Sequence, residues 1–449
     1  MMKIFFMIMF MFFMLMMKNL KVMFYYNICF LMSLFFLFKF MFKDLIWINI
    51  SMFLGYDFFS YYLLILSMWV LGLMFLVIQC EGDLSMKDMQ SKKILMFLMM
   101  LLILMTFFSS MNLIIFYLMF ELSLIPTFII IIYWGMNFER LKASYYLLMY
   151  TMFISLPLLI YIIELYNFNG SMDLNLMMMM MSSYKVGFWD YLILFMAFFI
   201  KLPMYLFHVW LPKAHVEAPV YGSMILASVL LKLGSYGILR FIEMFYIQSI
   251  KYNYIMISVG IIGGLMVSLV TLVQIDMKSL VAYSSVVHMN ILMCSMLTLM
   301  KMGIISAYIL MISHGLCSSG LFFMVNLYYE RSNSRLMFFN KGMMNILPSL
   351  SIWWFFLCAA NFSFPFSLNF ISEIFMIVTL VSWEMYMMIY LMMICFFSSA
   401  YSLYLYSYIQ HGLNYFEEKL YSVYLKDYII LMIHVWPLIL LILNLSLMY

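Results

Sequence analysis

The stretch Phe-Phe-Ile-Lys-Leu-Pro at residues 198–203 places an ammonium group and a proline inside a strongly apolar segment. A lysine within a membrane-length segment is energetically unfavourable, so it is usually retained for a function. Proline lacks an N–H group and breaks a helix, and in lipid the released carbonyls are tolerated only where protein, water or an ion satisfies them. Lys201 and Pro203 therefore predict a broken membrane helix beside an ion or proton site.

The composition of the whole chain indicates an integral membrane protein. Of its 449 residues, 68% are hydrophobic and 9% are charged, and the mean hydropathy is +1.08. A soluble fold cannot bury this much apolar surface, so lipid must cover the remainder. The net charge of +4 is carried largely by short connections, which argues against a nucleic-acid partner. The cysteines are scattered without a CxxC pair, which predicts small buried side chains. They are Cys29, Cys80, Cys294, Cys317, Cys358 and Cys395.

Hydrophobic segments divide the chain into membrane spans. The first 17 residues resemble a signal peptide, but no cleavage site of small residues follows them, so we expect a retained helix. No Arg-rich import presequence is evident, which for a mitochondrial protein implies synthesis inside the organelle. A window of about 20 apolar residues predicts fourteen spans. Their limits are 3–17, 22–42, 60–79, 93–109, 112–133, 141–166, 189–208, 219–245, 254–275, 279–300, 302–327, 346–380 with a break near Pro365, 384–409 and 428–447. The longest link, 167–188, is predicted to be amphipathic or loosely ordered.

Lys and Arg residues in the links predict the orientation. They are concentrated in the connections after odd-numbered spans, and few follow even-numbered spans. The few are Lys39, Lys43, Lys185, Arg240, Lys251 and Lys301. The positive-inside rule places the odd links on the side of synthesis and both termini on the opposite side. For a mitochondrial protein, both termini then lie in the intermembrane space.

Ionisable residues far from the span ends carry the functional argument. They are Glu121, Lys201, Lys232, His288, His314 and Glu373. Each isolated charge at mid-bilayer costs ~2.5–3.5 kcal/mol, so six unrelated occurrences are implausible. A single carboxylate or histidine of this kind could simply join two helices. The whole set, with hydroxyl groups nearby, instead predicts a proton relay, because burial favours a neutral lysine and a nearby carboxylate favours a charged one.

The two broken spans occupy comparable places in the two halves of the chain. Lys201 accompanies Pro203, and Glu373 follows Pro365. Paired discontinuous helices of this kind are typical of transporters built from inverted repeats. The sequence therefore predicts a polytopic helical protein with a repeat in each half.

Other signals point to weaker alternatives. His208 and His215 are seven residues apart, but Pro212 lies between them and no third ligand is evident, so we expect capping or packing. A haem would need paired axial histidines on facing helices, and His288 and His314 lack Gly-rich surfaces to admit it. No GxGxxG motif or P-loop is present, so the chain should bind no nucleotide or flavin. Any redox chemistry must lie in partner subunits.

Several motifs resemble one family. The run Lys-Leu-Pro-Met-Tyr-Leu-Phe-His-Val-Trp-Leu-Pro-Lys-Ala-His-Val-Glu-Ala-Pro at 201–219 is the longest of them. Others are Leu-Lys-Leu-Gly-Ser-Tyr-Gly at 231–237, the run from Gln274 to Ser285, Ser-His-Gly at 313–315, Tyr-Glu-Arg at 329–331, and Ser334 with Arg335. The chain resembles the antiporter-like, proton-translocating subunits of respiratory complex I. Glu373 and the lack of a long lateral helix resemble chain 4 members rather than chain 5 members.

This resemblance implies an all-α polytopic membrane fold of about fourteen helices with two inverted five-helix repeats. The implied divisions are 1–91, 92–247, 248–410 and 411–449. Glu121 and Lys201 would form the input pair of a proton channel. Lys232, His288 and His314 would form the central relay, and Glu373 the exit station.

The resemblance also implies the partners and the compartment. The chain would be a subunit of H⁺-translocating NADH:ubiquinone reductase in the mitochondrial inner membrane, beside the antiporter-like chains 2 and 5 and phospholipids such as cardiolipin. FMN, iron–sulfur clusters and ubiquinone would lie in other subunits, with no cofactor in this chain. Two alternatives stay open, a sodium/proton antiporter and a scaffold subunit that carries no protons.

Overall fold

The structure is a computed structural model that describes residues 2–16, 22–38, 47–51, 53–78, 87–181, 186–413, 423–443 and 445. In these ranges, ten helical segments are long and apolar enough to cross a membrane. Three shorter apolar helices accompany them, at Lys3–Met16, Met23–Leu37 and Leu368–Trp383. The all-helical membrane class is confirmed, and the count of fourteen stays a prediction. Predicted features at 17–21, 39–46, 79–86, 182–185, 414–422 and 446–449 lie outside the described residues.

The chain divides into two compact units, of which the first comprises Met1–Phe198 and Glu217–Gln248. A two-stranded antiparallel hairpin, β1 (Ile48–Ser51) and β2 (Leu54–Tyr56), precedes the third helix. The helices of this unit are α1 (Met2–Met16), α2 (Met23–Phe38), α3 (Phe58–Ile78), α4 (Lys87–Ser109), α5 (Leu113–Leu122), α6 (Leu124–Trp134), α7 (Arg140–Asn169), α8 (Leu174–Met180), α9 (Phe188–Lys201, whose last turn belongs to the second unit), α11 (Val220–Ile225) and α12 (Leu231–Met244). A π-helical segment, Leu226–Leu230, joins α11 to α12.

The second unit comprises Phe199–Val216 and Ser249–Tyr449. Its helices are α10 (Trp210–Glu217), α13 (Tyr246–Leu272), α14 (Met277–Leu297), α15 (Lys301–Ser332), α16 (Met343–Ile346), α17 (Pro348–Asn361), α18 (Leu368–Trp383), α19 (Met387–Gln410) and α20 (Leu425–Leu443). Two of these helices, α14 and α15, form the interior of the unit, with 94% and 100% of their spanning windows buried. Only a third of α19 and of α20 is buried, so their apolar outer faces are suited to lipid.

The tract of methionines in the longest link forms a short helix. α8 covers Leu174–Met180, and Leu174 and Met177 on one side of it are buried. On the other side, Met179 and Met180 are exposed. The amphipathic form of the prediction is therefore confirmed for these residues, and the loosely ordered form is wrong for them.

The predicted break after Lys201 is confirmed. α9 ends at Lys201, and Pro203 cannot continue the helix because it has no N–H group. The next residue, Met204, donates its N–H to the carbonyl of Phe199 at 3.0 Å, five residues back. Leu206 then adopts a φ of 81°, a left-handed conformation that turns the chain away from the helix axis.

The predicted break near Pro365 is also confirmed. α17 ends at Asn361, and the N–H of Phe364 donates to the carbonyl of Ala359 at 2.9 Å, again five residues back. Phe366 has a φ of 81°, as Leu206 has at the first break. The two breaks thus share the same hydrogen-bond span and the same left-handed residue two positions later.

Side chains satisfy the carbonyls that the breaks release. The indole Nε1 of Trp210 donates to the carbonyl of Ile200 at 3.1 Å. At the second break, Nδ2 of Asn369 donates to the carbonyl of Ala360 at 2.8 Å. Each acceptor is the last but one residue of its helix. Because an unsatisfied carbonyl is costly in an apolar medium, these donors stabilise the interruptions.

Gly237 allows α12 to pack closely against the end of α9. A Cβ atom at this position would lie 2.2 Å from Cδ1 of Phe198, a buried ring that has no room to withdraw. We expect Gly237→Ala to destabilise the protein by about 1–3 kcal/mol despite the better helix propensity of alanine. The measurement is the thermal unfolding midpoint of the purified complex that contains the chain.

Gly264 in α13 supplies the matched control, because a Cβ atom there would meet its nearest neighbour, Cδ1 of Ile394, at an ordinary 3.5 Å. Gly264→Ala should leave the unfolding midpoint unchanged or raise it slightly. Equal midpoints for Gly237→Ala and Gly264→Ala would contradict the packing argument.

Candidate proton-relay site

Lys201 is held at the end of an interrupted helix. It is 4% exposed and is the last residue of α9. The C-terminal end of a helix carries a partial negative charge, which favours a cation placed there. The break therefore does two things, since it ends the helix within an apolar stretch and it stabilises an ammonium group at that end.

Lys232 lies fully buried in α12, directly after the π-helical segment. Its Nζ donates to the carbonyl of Ala227 at 2.7 Å, inside that segment. π-helical turns are rare and occur frequently at functional sites. The contact directs the ammonium group of Lys232 back toward α11 and away from the C-terminal end of α12.

Glu121 lies at the end of α5, just before the interruption at Ser123 that separates α5 from α6. Both of its carboxylate oxygens are buried, and neither has a hydrogen-bond partner among the described residues. A buried carboxylate that no donor satisfies is costly. Such a group is a strong candidate for a proton acceptor.

Three of the predicted residues come together in the second unit. Nδ1 of His288 lies 3.2 Å from Oε1 of Glu373. The ring of His314 lies 5.8 Å from that of His288, centroid to centroid. Both histidines are 2% exposed. α14, α15 and α18 supply one residue each, so two imidazoles and one carboxylate form a single buried cluster.

Tyr401 is a member of this cluster that the sequence did not indicate. Its hydroxyl lies 3.5 Å from Nε2 of His288, on the side of the ring opposite Glu373. The side chain is fully buried in α19. With 35 tyrosines in the chain, no local pattern singles this one out. His288 therefore has a proton-exchanging group at each ring nitrogen.

The remaining predicted residues stand in different places. Glu121 and Lys232 belong to the first unit, and Lys201 belongs to the second unit with His288. The structure thus gathers His288 with His314 and Glu373. Glu121 lies in the span Leu113–Trp134, Lys232 lies in the span Val220–Met244, and Lys201 ends α9.

His208 and His215 pack against aromatic rings. His208 stacks on Tyr205 with centroids 5.6 Å apart and an interplanar angle of 13°. His215 stacks on Phe322 at 4.6 Å and 4°. This arrangement agrees with the packing interpretation. Among the described residues, no group of three or more His, Cys, Asp or Glu side chains is placed to hold a metal ion.

Most of the described cysteines are buried, in agreement with the prediction of small buried side chains. Cys29, Cys294, Cys317 and Cys358 are buried and Cys395 is half-buried, while Cys80 lies outside the described residues.

The prediction that Arg240 lies in a link between spans was wrong. Arg240 lies inside the span Val220–Met244 and is 2% exposed, with an ion pair to Asp57. A buried carboxylate makes a guanidinium tolerable within a span.

The fold and the site together define an antiporter-like membrane subunit, and comparisons agree. The NADH:quinone oxidoreductase/Mrp antiporter transmembrane family matches residues 110–399. The amino-terminal family of NADH-ubiquinone oxidoreductase chain 4 matches residues 1–81. The chain belongs to the NADH-ubiquinone oxidoreductase chain 4 family.

Relatives support this assignment, and a solved structure shares the fold. Chain 4 of Aedes aegypti is 46% identical over 451 residues, covering 99% of this chain and 98% of the relative. Chain 4 of Ceratitis capitata is 46% identical over 405 residues, covering 88% of each. A chain of respiratory complex I from Thermus thermophilus shares the fold with a TM-score of 0.83 at 20% identity, over 94% of this chain and 91% of that one. The animal relatives and the membrane-length helices identify a multi-pass inner-membrane protein.

Proposed function

We propose that this chain is a proton-translocating membrane-arm subunit of respiratory NADH:ubiquinone oxidoreductase. The observation that carries the proposal is the buried cluster of His288, Glu373, His314 and Tyr401. These four groups can all carry a proton, and they come from four apolar helices, α14, α15, α18 and α19. A cluster of this kind has no evident packing advantage over apolar side chains, because each polar group loses its hydration.

The geometry of His288 suits proton transfer in steps. Imidazole accepts a proton at one ring nitrogen and releases another from the second nitrogen. At His288, Nε2 faces the hydroxyl of Tyr401 and Nδ1 faces the carboxylate of Glu373. A proton that arrives on the Nε2 side therefore leaves toward Glu373. The net result is transfer of one proton that leaves the imidazole neutral but in the other tautomer, so His288 must return to its first tautomer before the next transfer.

The residues of both units are proposed to serve one proton route. Glu121 and Lys201 act as the input pair, Lys232 and His288 with His314 as the central relay, and Glu373 as the exit station. A lysine in apolar surroundings holds its proton weakly unless a negative charge is near. Changes in the coupling of Lys201 to Glu121 would therefore load and release protons.

Redox chemistry in other subunits is proposed to drive these changes. FMN, iron–sulfur clusters and ubiquinone are assigned to partner subunits, and the neighbouring chains are proposed to be the antiporter-like chains 2 and 5. The proposed site is the mitochondrial inner membrane with contacts to phospholipids such as cardiolipin. Both termini are proposed to face the intermembrane space, because Lys and Arg concentrate in the odd-numbered links.

Purification tests the proposal against the two alternatives. We expect the chain to co-migrate with flavin and iron–sulfur subunits, and we expect proton transport by the reconstituted complex to require NADH. Sodium-dependent proton exchange by the isolated chain in vesicles would instead establish an antiporter. If the complex assembles and pumps normally with all six relay residues neutralised, the chain is a scaffold.

A further inference from the structure

Lys232 contacts the carbonyl of Ala227 on its N-terminal side. On its C-terminal side, α12 carries a further group of polar and aromatic side chains. Lys232, Tyr236 and Arg240 are spaced four residues apart, so they lie on one face of the helix. Glu243 follows, and its side chain is 33% exposed. Eight residues of helix separate Lys232 from Arg240, or about 12 Å. This face is therefore the direct path from a buried lysine to an accessible carboxylate.

Arg240 contacts three polar side chains at the end of that path, those of Asp57, Tyr236 and Glu243. Its Nη2 lies 2.7 Å from Oδ2 of Asp57 and donates to the hydroxyl of Tyr236 at 2.7 Å. Its Nη1 lies 3.3 Å from Oε2 of Glu243. Guanidinium does not release protons in proteins. The acceptors at this end are thus occupied by a donor that cannot take part in a relay.

The hydroxyl of Tyr236 is committed in the same way. It donates to the backbone carbonyl of Phe108 at 3.1 Å while it accepts from Arg240. A carbonyl cannot pass a proton onward. Moreover, Lys232 directs its Nζ to the carbonyl of Ala227, in the opposite direction along the helix.

A dense group of buried rings surrounds Tyr236. The aromatic plug comprises Phe107, Phe108, Phe116, Phe198, Tyr236 and Phe241, none of which is more than 2% exposed. Tyr236 contacts Phe108 at 5.3 Å and Phe107 at 5.7 Å between centroids. Phe198 contacts Phe241 at 4.7 Å. Apolar constrictions of this kind obstruct ion pathways by excluding water.

We propose that the aromatic plug and the Asp57–Arg240–Glu243 cluster form a proton seal at the C-terminal end of α12. The seal prevents a proton held by Lys232 from leaving at that end, and so it makes Lys232 deliver its proton by another side. This inference rests on the proposed relay role of Lys232. In the proposed seal, the plug keeps water out and Arg240 holds the carboxylates of Asp57 and Glu243 in ion pairs, so that protons would not pass from Lys232 to Glu243 along this face.

Passive proton permeability tests the seal directly. The complex is reconstituted into phospholipid vesicles without NADH, and the decay of an imposed pH gradient is measured with potassium and valinomycin present. Phe198→Ala should raise the permeability at least fivefold, because it opens the plug. Phe75→Ala is the matched control, since Phe75 is an equally buried ring of the first unit that stacks on Tyr25 outside the plug. Unchanged permeability in Phe198→Ala, or an equal rise in Phe75→Ala, overturns the proposal.

The charged part of the seal has its own test. The double variant Asp57→Asn with Arg240→Gln removes both charges of the pair and should also raise permeability several-fold. Its control is Asp427→Asn with Arg331→Gln, which removes the buried pair between α20 and α15. Should either double variant fail to assemble, Phe198→Leu retains an apolar side chain but removes the ring contact with Phe241. Unchanged permeability in Phe198→Leu then counts against the seal.

A double variant separates the seal from the relay. Adding Lys232→Ala to Phe198→Ala should return the permeability to the level of the unmodified complex, because the leak passes through Lys232. A leak that persists without Lys232 would leave the barrier established and would contradict the relay role of Lys232. A Phe198→Ala variant with no leak, beside normal NADH-driven pumping, would overturn the seal alone.

Discussion

Replacing Lys201 with alanine is expected to lower NADH-driven proton transport by this complex roughly tenfold or more. The buried ammonium group of Lys201 ends α9 at the first break, and in the proposed route it is the group that takes up and releases the proton. Alanine removes the titratable group but keeps the helix, so the complex should assemble. The measurement is the initial rate of proton uptake into vesicles that contain the reconstituted complex, relative to NADH oxidised.

Two companion variants decide what the lysine contributes. Lys213→Ala, an exposed lysine twelve positions later in the same segment, should leave transport unchanged. Lys201→Arg keeps the positive charge but cannot release a proton, so it should fail as alanine does. If Lys201→Arg pumps normally, the charge acts as a fixed counter-ion and the relay role is wrong.

The backbone break beside Lys201 could be predicted because its cause is local. Proline removes a donor, and a charge inside an apolar run marks a place where the released carbonyls are useful. Both predicted breaks are present, after Lys201 and after Asn361. The carbonyl partners were not predictable, since Trp210 and Asn369 act through the three-dimensional arrangement of the break.

The candidate relay residues could be singled out, because an ionisable group in an apolar segment is conspicuous in the sequence, and their relay role stays a prediction. The sequence could not show which of these residues lie in contact with one another. The contact of His288 with Glu373 joins helices distant in the chain, and Tyr401 is one tyrosine among many. The positive-inside count treated Arg240 as a link residue, since Asp57, its buried partner, lies far away in the sequence.

The shared geometry of the two breaks bears on how the site is built. In each break, an N–H donates to the carbonyl five residues back instead of four. A left-handed residue and a side-chain donor accompany it where the helix is interrupted. Charged residues differ between them, since a lysine ends the helix at the first break and a glutamate lies in the helix that follows the second. The two breaks therefore share their backbone geometry and differ in the titratable side chain that lies beside each of them. With the same backbone geometry and a different titratable side chain, the proton affinity can differ between the two breaks. The inverted repeat itself stays a prediction.

Glu373→Gln is expected to have the second large effect, again roughly a tenfold or greater loss of NADH-driven proton transport. Glutamine keeps the shape and a carbonyl oxygen near Nδ1 of His288 but cannot accept a proton. His288 would then hold its proton without an outlet on that side. Glu384→Gln is the matched control, because Glu384 lies exposed just after the same helix.

The Glu373 result is informative because it separates proton transfer from packing. Glu373→Asp retains a carboxylate at a shorter reach, so transport should fall less than in Glu373→Gln, while both variants should assemble equally. An aspartate variant as inactive as the glutamine variant would show that the distance of 3.2 Å to His288 is decisive. Full transport in Glu373→Gln would mean that protons leave the cluster by a different group. Because Tyr401 lies at the other nitrogen of His288, Tyr401→Phe combined with Glu373→Gln would then identify whether that group is the tyrosine.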